Sequence, residues 1–296
     1  MGKFLRHILL FLIATVAMMA VLDVCYTQIF ETSPPRSKFQ LLRNLKGQKI
    51  GYAFLGSSRV DNDIVPELIE QETGKKSLNL GFQASKMYDI HTILRLLKEY
   101  DVQSDRVFVQ MDYTFNAGGH SNMMLHEVLP FIRDNEVTRR HFAVLPDHDA
   151  LYYVPFYRYA AYDFKIGFRE MMMNVLHKRT ALALSGGYHP VFGHEQKENH
   201  NTLPDTIWKS NPYFDSIRSF ADKNRLDVTY FCAPFDTKTK NIGYVKLLKG
   251  KIPNLRDYSQ SIRDTMSFAN HFHLNDVGAR EFTTQFIRNE LKKKAP

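Results

Sequence analysis

Residues 49–60, KIGYAFLGSSRV, open with a short apolar run and stop abruptly at Gly-Ser-Ser-Arg. A run of this length bounded by turn residues is a buried strand feeding a tight turn. Downstream, Ile64, Val65, Leu68 and Ile69 recur at helical spacing, and Gly74 is placed to end that helix. SLNLGF (77–82) is a second strand. Ile90, Ile93, Leu94 and Leu97 then follow the i, i+3, i+4, i+7 pattern behind Asp89 as N-cap, which predicts a helix. RVFVQMDYT (106–114) and LDVTYFCAP (226–234) are a third and a fourth strand. Asn211-Pro212 suits the N-cap and first position of a helix through Phe214, Ile217 and Phe220. An amphipathic helix begun near Asn275 carries Phe282, Phe286 and Ile287. Strands alternating with helices predict an α/β fold with a parallel sheet covered on both faces. The stretch of about 117–205 is too long for a plain loop and must carry helices of its own. It is rich in rings, among them Tyr152, Tyr153, Phe156, Tyr157, Tyr159, Tyr162, Phe164, Phe168 and Tyr188.

Composition fits this architecture and excludes several others. Hydrophobic residues make up 44% of the 296, and the two cysteines, Cys25 and Cys232, allow neither a disulfide framework nor a four-Cys zinc site. The formal charge is +8, of which residues 1–30 and Lys292, Lys293 and Lys294 supply half. The body is thus too weakly basic for a nucleic-acid groove. At the N-terminus, Lys3 and Arg6 precede an apolar run from Ile8 to Leu22, broken only by Thr15 and closed by Asp23. As a helix this run covers about 22 Å, a little short of a full span. Residues 1–30 therefore suit an uncleaved signal anchor with Tyr26 and Phe30 at the outer interface, a cleaved signal peptide, or a buried helix. Either of the first two takes the body out of the cytoplasm, to the periplasm or cell surface. Residues 31–45, including Thr32-Ser33-Pro34-Pro35, make a linker, and 46–296 the α/β domain.

In open α/β sheets, ligands bind beyond the carboxyl ends of the strands. Those ends carry Ser57, Ser58 and Arg59 after the first strand, Gly81 to Ser85 after the second, and Asp112, Thr114 and Asn116 after the third. Asn270, His271 and His273 precede the last helix. A serine past a glycine turn, with a histidine late in the chain, suits nucleophilic acyl transfer. The ordered blocks FLGSSRV (54–60), LNLGFQAS (78–85), VFVQMDY (107–113) and HFHLNDVGAREFT (271–283) resemble the SGNH/GDSL hydrolase superfamily, and within it membrane-anchored bacterial members with a Gly-Ser-Ser-Arg first block. The resemblance covers about a quarter of the body. It implies a flavodoxin-like three-layer α/β/α sandwich, Ser58 as nucleophile and His273 as base. It also implies hydrolysis or transfer of small acyl esters, foremost O-acetyl groups on an envelope or extracellular glycan, without a cofactor. The oxyanion donors would be the N–H groups of Ser58 and Ala84, helped by Asn116.

The chain departs from the family pattern at three points. Asn270 stands where the family has the aspartate that supports the histidine, a change that costs about 10⁴-fold in turnover in the serine-protease template. Ala84 stands at the second-block glycine, and Thr114 at the third-block asparagine. These departures motivate the alternative of a retired SGNH-fold protein that binds a glycan or a membrane-protein partner without chemistry. Other readings stay open residue by residue. Ser58 also suits a turn cap, His273 a bond to the last helix's N-terminus, and Asn116 a plain loop position. Arg59 suits an orienting role toward substrate, but an ion pair with Asp112 or Asp61 is favoured, and structural pairing is favoured for Asp112 too. His271 and His273, or His189, His194 and His200, lack the partners of a metal site, so no metal is expected. The ring-rich insertion suits core packing first and a sugar-stacking platform second. The expected partners are an acylated carbohydrate or other small ester, and the membrane through the N-terminal helix.

Overall fold

The computed structural model describes residues 1–194 and 201–292, which leaves out His200 and the lysines at 293 and 294. The chain forms two compact units, one of Met1–Arg36 with Leu125–Arg179, the other of Ser37–Met124 with Thr180–Pro296.

The second unit is built on a parallel sheet of β1 (Lys49–Gly56), β2 (Ser77–Gly81), β3 (Gln103–Gln110), β4 (Val228–Cys232) and β5 (Arg256–Asp257), in the order β2-β1-β3-β4-β5. β1 lies between β2 and β3, with Gly56 opposite Gly81 and Leu55 opposite Val109. All of it but Lys49 is buried, which is why it is apolar at successive rather than alternate positions. One face carries Phe54, Phe108 and Phe231 against Phe286 of the last helix, Asp276–Phe286, with ring centroids 4.9–5.6 Å apart. The Pro66–Thr73 helix joins this face through Ile69 and ends at Gly74 in the left-handed conformation. Helix Pro212–Asn224 covers the other face, with Phe214 5.4 Å from Tyr230, and packs on helix Met87–Glu99. Asn211 caps the first of these helices.

Four details differ from the sequence reading. β5 is only two residues long and has no pattern to detect. β3 ends at Gln110, because Asp112 accepts from Thr114 N–H and starts a 3₁₀ turn at Tyr113–Asn116. Asp89 is not the N-cap of its helix: it sits inside the first turn and reaches back to the N–H of Lys86. Residues 31–45 are no free linker. Ser37 and Gln40 form a capping box for helix Lys38–Arg43, which buries Lys38, Phe39 and Leu42 in the sheet unit.

The first unit divides the ring-rich insertion at different points, taking only 125–179. It holds helix Gly2–Thr32, long and apolar enough to cross a membrane or to act as a signal sequence. Up to Leu22 that helix is largely exposed; beyond it Asp23, Tyr26 and Phe30 are buried. Tyr26 packs 5.0 Å from both Phe156 and Tyr159, and Phe30 stacks on Tyr159 at 6.0 Å. Tyr159 is buried core, whereas Tyr153, Phe164 and Phe168 of the insertion are exposed. Tyr188 belongs to the sheet unit, where it bonds Asp276.

Candidate active site

Ser58 stands at the carboxyl end of β1, where the chain order reverses between β1 and β3. Close packing fixes the turn that carries it. A Cβ on Gly81 would come within 2.4 Å of Asp61 N and 2.7 Å of Ser57 O, and one on Gly56 within 2.5 Å of Val60. The short helix Ser58–Asp61 thus rests directly on the end of β2, where only glycine fits. Ser57 caps it, and both its N–H and its hydroxyl donate to Gln110 Oε1, at 3.1 and 3.0 Å. Below it lies a buried cation: Lys38 Nζ bonds Asp61 Oδ1, the carbonyl of Gly81 and, at 3.2 Å, Asn79 Oδ1. Asn79 donates in turn to the carbonyls of Val60 and Ile64. Burial raises the Asp61 pKa, but Lys38 with bonds from His189 and Gln83 outweighs it and the carboxyl is held low.

The Ser58 hydroxyl meets His273, with Oγ and Nε2 2.7 Å apart. His273 sits on a tight turn between Phe268 and Leu274, which pair across it. Asn270 shapes that turn, its Oδ1 accepting from the N–H groups of Phe272 and His273 at 2.9 and 3.1 Å. The Asn270 side chain is therefore spent on the main chain rather than on the imidazole. Among the described residues nothing hydrogen-bonds His273 Nδ1. Burial, together with the Arg59 charge, lowers the His273 pKa to about 4, so the ring is neutral at pH 7. The turn is anchored from beneath by Asp63 Oδ1, which accepts from Leu274 N–H at 3.1 Å. Asp63 is fully buried, its Oδ2 has no partner among the described residues, and burial, only partly offset by Arg59 and Leu274 N–H, raises it to about 8. Sequence reasoning missed it; a polar residue at the start of the apolar Ile64-Val65 segment was the available signal.

The N–H of Ser58 opens its helix, and that of Ala84 lies in the loop after β2; among the described residues neither donates a hydrogen bond. Gln83 ties the two loops together by donating to Asp61 Oδ2 at 2.6 Å and Asn62 Oδ1 at 3.1 Å. Ala84 has φ 59°, a left-handed conformation natural to glycine.

The remaining candidates do other work. Arg59 is wholly buried, pairing with Asp112 at 2.9 Å, donating to the carbonyls of Ala233 and Pro234, and lying 3.6 Å from the Phe235 ring centroid. It binds β1 to the ends of β3 and β4, with its Nε buried and unpartnered among the described residues. Asp112 is likewise consumed by Arg59 and by Thr114 N–H. Asn116 braces a neighbouring loop, donating to Thr206 O and accepting from Trp208 N–H, so its amide is not held for an oxyanion. The Thr114 hydroxyl is buried with no partner among the described residues. His194 bonds Phe268 O, and His189 lies 3.6 Å from Asp61; among the described residues no three His, Cys, Asp or Glu side chains gather as a metal group.

A strip of rings leads away from the serine and histidine. Phe272 and Tyr113 lie 6.2 Å apart, and Tyr113 and Phe235 6.4 Å. Past Phe235 opens a cavity of about 350 Å³ lined by Asp236, Thr237, Thr239, Ser259, Gln260 and Arg263. Compared with known families and with curated proteins, the chain matches no family model and no curated sequence.

Proposed function

We propose that this chain is a membrane-anchored SGNH-type serine esterase or acyltransferase acting on O-acyl groups, foremost O-acetyl groups, of an envelope or extracellular glycan. The observation that carries the proposal is the 2.7 Å contact between Ser58 Oγ and a neutral His273 Nε2 at the sheet's switch point. The strand order 2-1-3-4-5 is that of flavodoxin-like folds and supports a three-layer SGNH-type sandwich. As Ser58 Oγ bonds to the acyl carbon, its proton passes to His273 Nε2, and the N–H groups of Ser58 and Ala84 hold the oxyanion. Collapse breaks the ester bond, and the imidazolium returns its proton to the leaving alkoxide. Water or a sugar hydroxyl then attacks the acyl-serine by the reverse route. The ring strip and the polar cavity beyond Phe235 suit the carbohydrate part. A retained anchor fits the packing, because a cleavage beyond Phe30 would remove Asp23, Tyr26 and Phe30 from the core of the first unit.

A second reading has its own observation. Asn270 leaves the imidazolium without an anion, and burial disfavours it further, so the same fold serves a binding protein whose chemistry has lapsed. Labelling of the detergent-solubilised full chain with a serine-reactive fluorophosphonate separates the two. Labelling lost in Ser58→Ala and in His273→Ala supports the enzyme; a folded wild-type chain that takes no label supports the binding protein.

A further inference from the structure

Helix Gly2–Thr32 runs without a break from an exposed apolar half into a packed half, and Asp23 marks the border. From Gly2 to Asp23 the helix rises about 32 Å, close to the thickness of a bilayer's hydrocarbon core. If Ile8 to Leu22 lie in lipid with Lys3 and Arg6 on one side, Asp23 lies at the opposite boundary. A carboxylate there is costly unless paired. Two arginines pair it: Arg133 through Nη1 to Oδ2, and Arg158 at 2.9 Å from Oδ1. The N–H of Phe156 adds a bond to Oδ1 at 3.1 Å.

These contacts fix the height of a second segment. Arg133 Nε also donates to Tyr152 O at 2.7 Å, so residues 152–156 are tied at both ends to the level of Asp23. Within them Tyr153 is 61% exposed and Val154 41%. Tyr152 and Tyr153 pack edge to face at 4.8 Å, and the Arg139 guanidinium lies 4.9 Å from the Tyr152 ring centroid and 3.4 Å from the Tyr153 hydroxyl. Tyrosines with arginines are the side chains that settle at a bilayer interface, rings among the glycerol and acyl boundary and guanidinium groups on phosphate.

We infer that the 152–156 segment, with Arg133 and Arg139, is seated in the lipid headgroup layer, giving the 125–179 unit a second membrane contact beside its helix. The inference rests on residues 2–22 being a membrane span. The full chain carrying Trp208→Phe, with either Ile13→Trp or Tyr153→Trp, is reconstituted in phosphatidylcholine–phosphatidylglycerol vesicles with and without brominated acyl chains. Both indoles are expected to lose fluorescence to bromine, that at 153 most strongly when the bromine is near the headgroup. Loss at 13 with none at 153 overturns the headgroup contact while leaving the span intact, and points to a protein partner for Tyr153 and Val154. No loss at either position overturns the span and the inference with it. Tyr153 is exposed, so the substitution leaves the fold in place.

Discussion

The two halves of the candidate site are secured by different means. The serine half is over-determined by main chain: two glycines that admit no Cβ, a capped turn, and a buried lysine that binds three oxygens around it. The histidine half is a short turn closed by the Phe268–Leu274 bridge, with Ala269 N–H on His273 O at 2.9 Å, and braced by one asparagine at its tip and one aspartate at its base. Asp61 and Asp63, two residues apart, state the contrast in one pair. Both are buried, yet Asp61 faces Lys38 and is held charged, whereas Asp63 has no hydrogen-bonded cation and is pushed up to about 8. Position can be built from backbone and close packing; basicity needs an anion bonded to the ring, and among the described residues none is bonded to His273.

The largest effect is expected from breaking the serine half. Lys38→Met leaves Asp61 buried without its lysine, a loss of about 3–5 kcal/mol in a denaturant titration of the solubilised chain. Lys38→Met with Asp61→Asn should recover most of that loss; a Lys38→Met chain as stable as wild type would show that the cation is not what holds the turn. Asp63 gives the opposite sign. Its folded value lies above the unfolded one, so its contribution is complete below about pH 4 and is lost as pH rises toward 8. Asp63→Asn should therefore remove a downward slope between pH 4 and 8 and leave the variant about 2–4 kcal/mol more stable at pH 8. His273 acts in reverse, its contribution present above pH 6.5 and lost as pH falls toward 4, so the two slopes are separable by variant. An unchanged slope in Asp63→Asn would mean that the carboxyl titrates normally.

The sheet was legible because a buried parallel strand has a plain signature, a short run rich in apolar residues ended by a turn residue, which is glycine in β1 and β2 and Pro234 just past β4. The blocks around Ser58 and His273 were legible for a related reason: residues at strand ends keep their order in the chain. What escaped was partnership across distance. Nothing local in Lys38 says that it will be buried under a turn twenty residues on, and the Pro34-Pro35 punctuation before it argued for a linker. Asn116 and Thr206 are ninety residues apart, so no spacing shows that the amide braces a loop instead of facing a substrate. The N-terminal apolar run was plain, but that its far end forms the core of 125–179 depended on Tyr26 and Phe30 finding Phe156 and Tyr159.

The histidine half can be mended. Asn270→Asp keeps an oxygen for the N–H groups of Phe272 and His273 and adds a negative charge beside the turn. The His273 midpoint, followed by the pH dependence of fluorophosphonate labelling, should move up from about 4 toward 6.5. Removing the equivalent charge costs about 10⁴-fold in the serine-protease template, and restoring it on an unadapted turn should regain about 10- to 100-fold in labelling rate at pH 7. A raised midpoint with no faster labelling would mean that His273 titrates without acting as the base.

Ala84→Gly tests the oxyanion side with the smallest change. The residue has φ 59°, where an L side chain costs about 1–2 kcal/mol, while glycine adds freedom to the unfolded chain and offsets part of the gain. The net expectation is a stabilisation of about 0.5–1 kcal/mol in the same denaturant titration. Because the N–H stays where it is, the labelling rate should be unchanged. The two readouts divide what alanine does here. A stability gain with steady labelling means that the strain at Ala84 serves no catalytic purpose. Slower labelling despite a gain in stability would mean that the alanine's rigidity holds the N–H on the oxyanion, because glycine would keep the donor but let it wander.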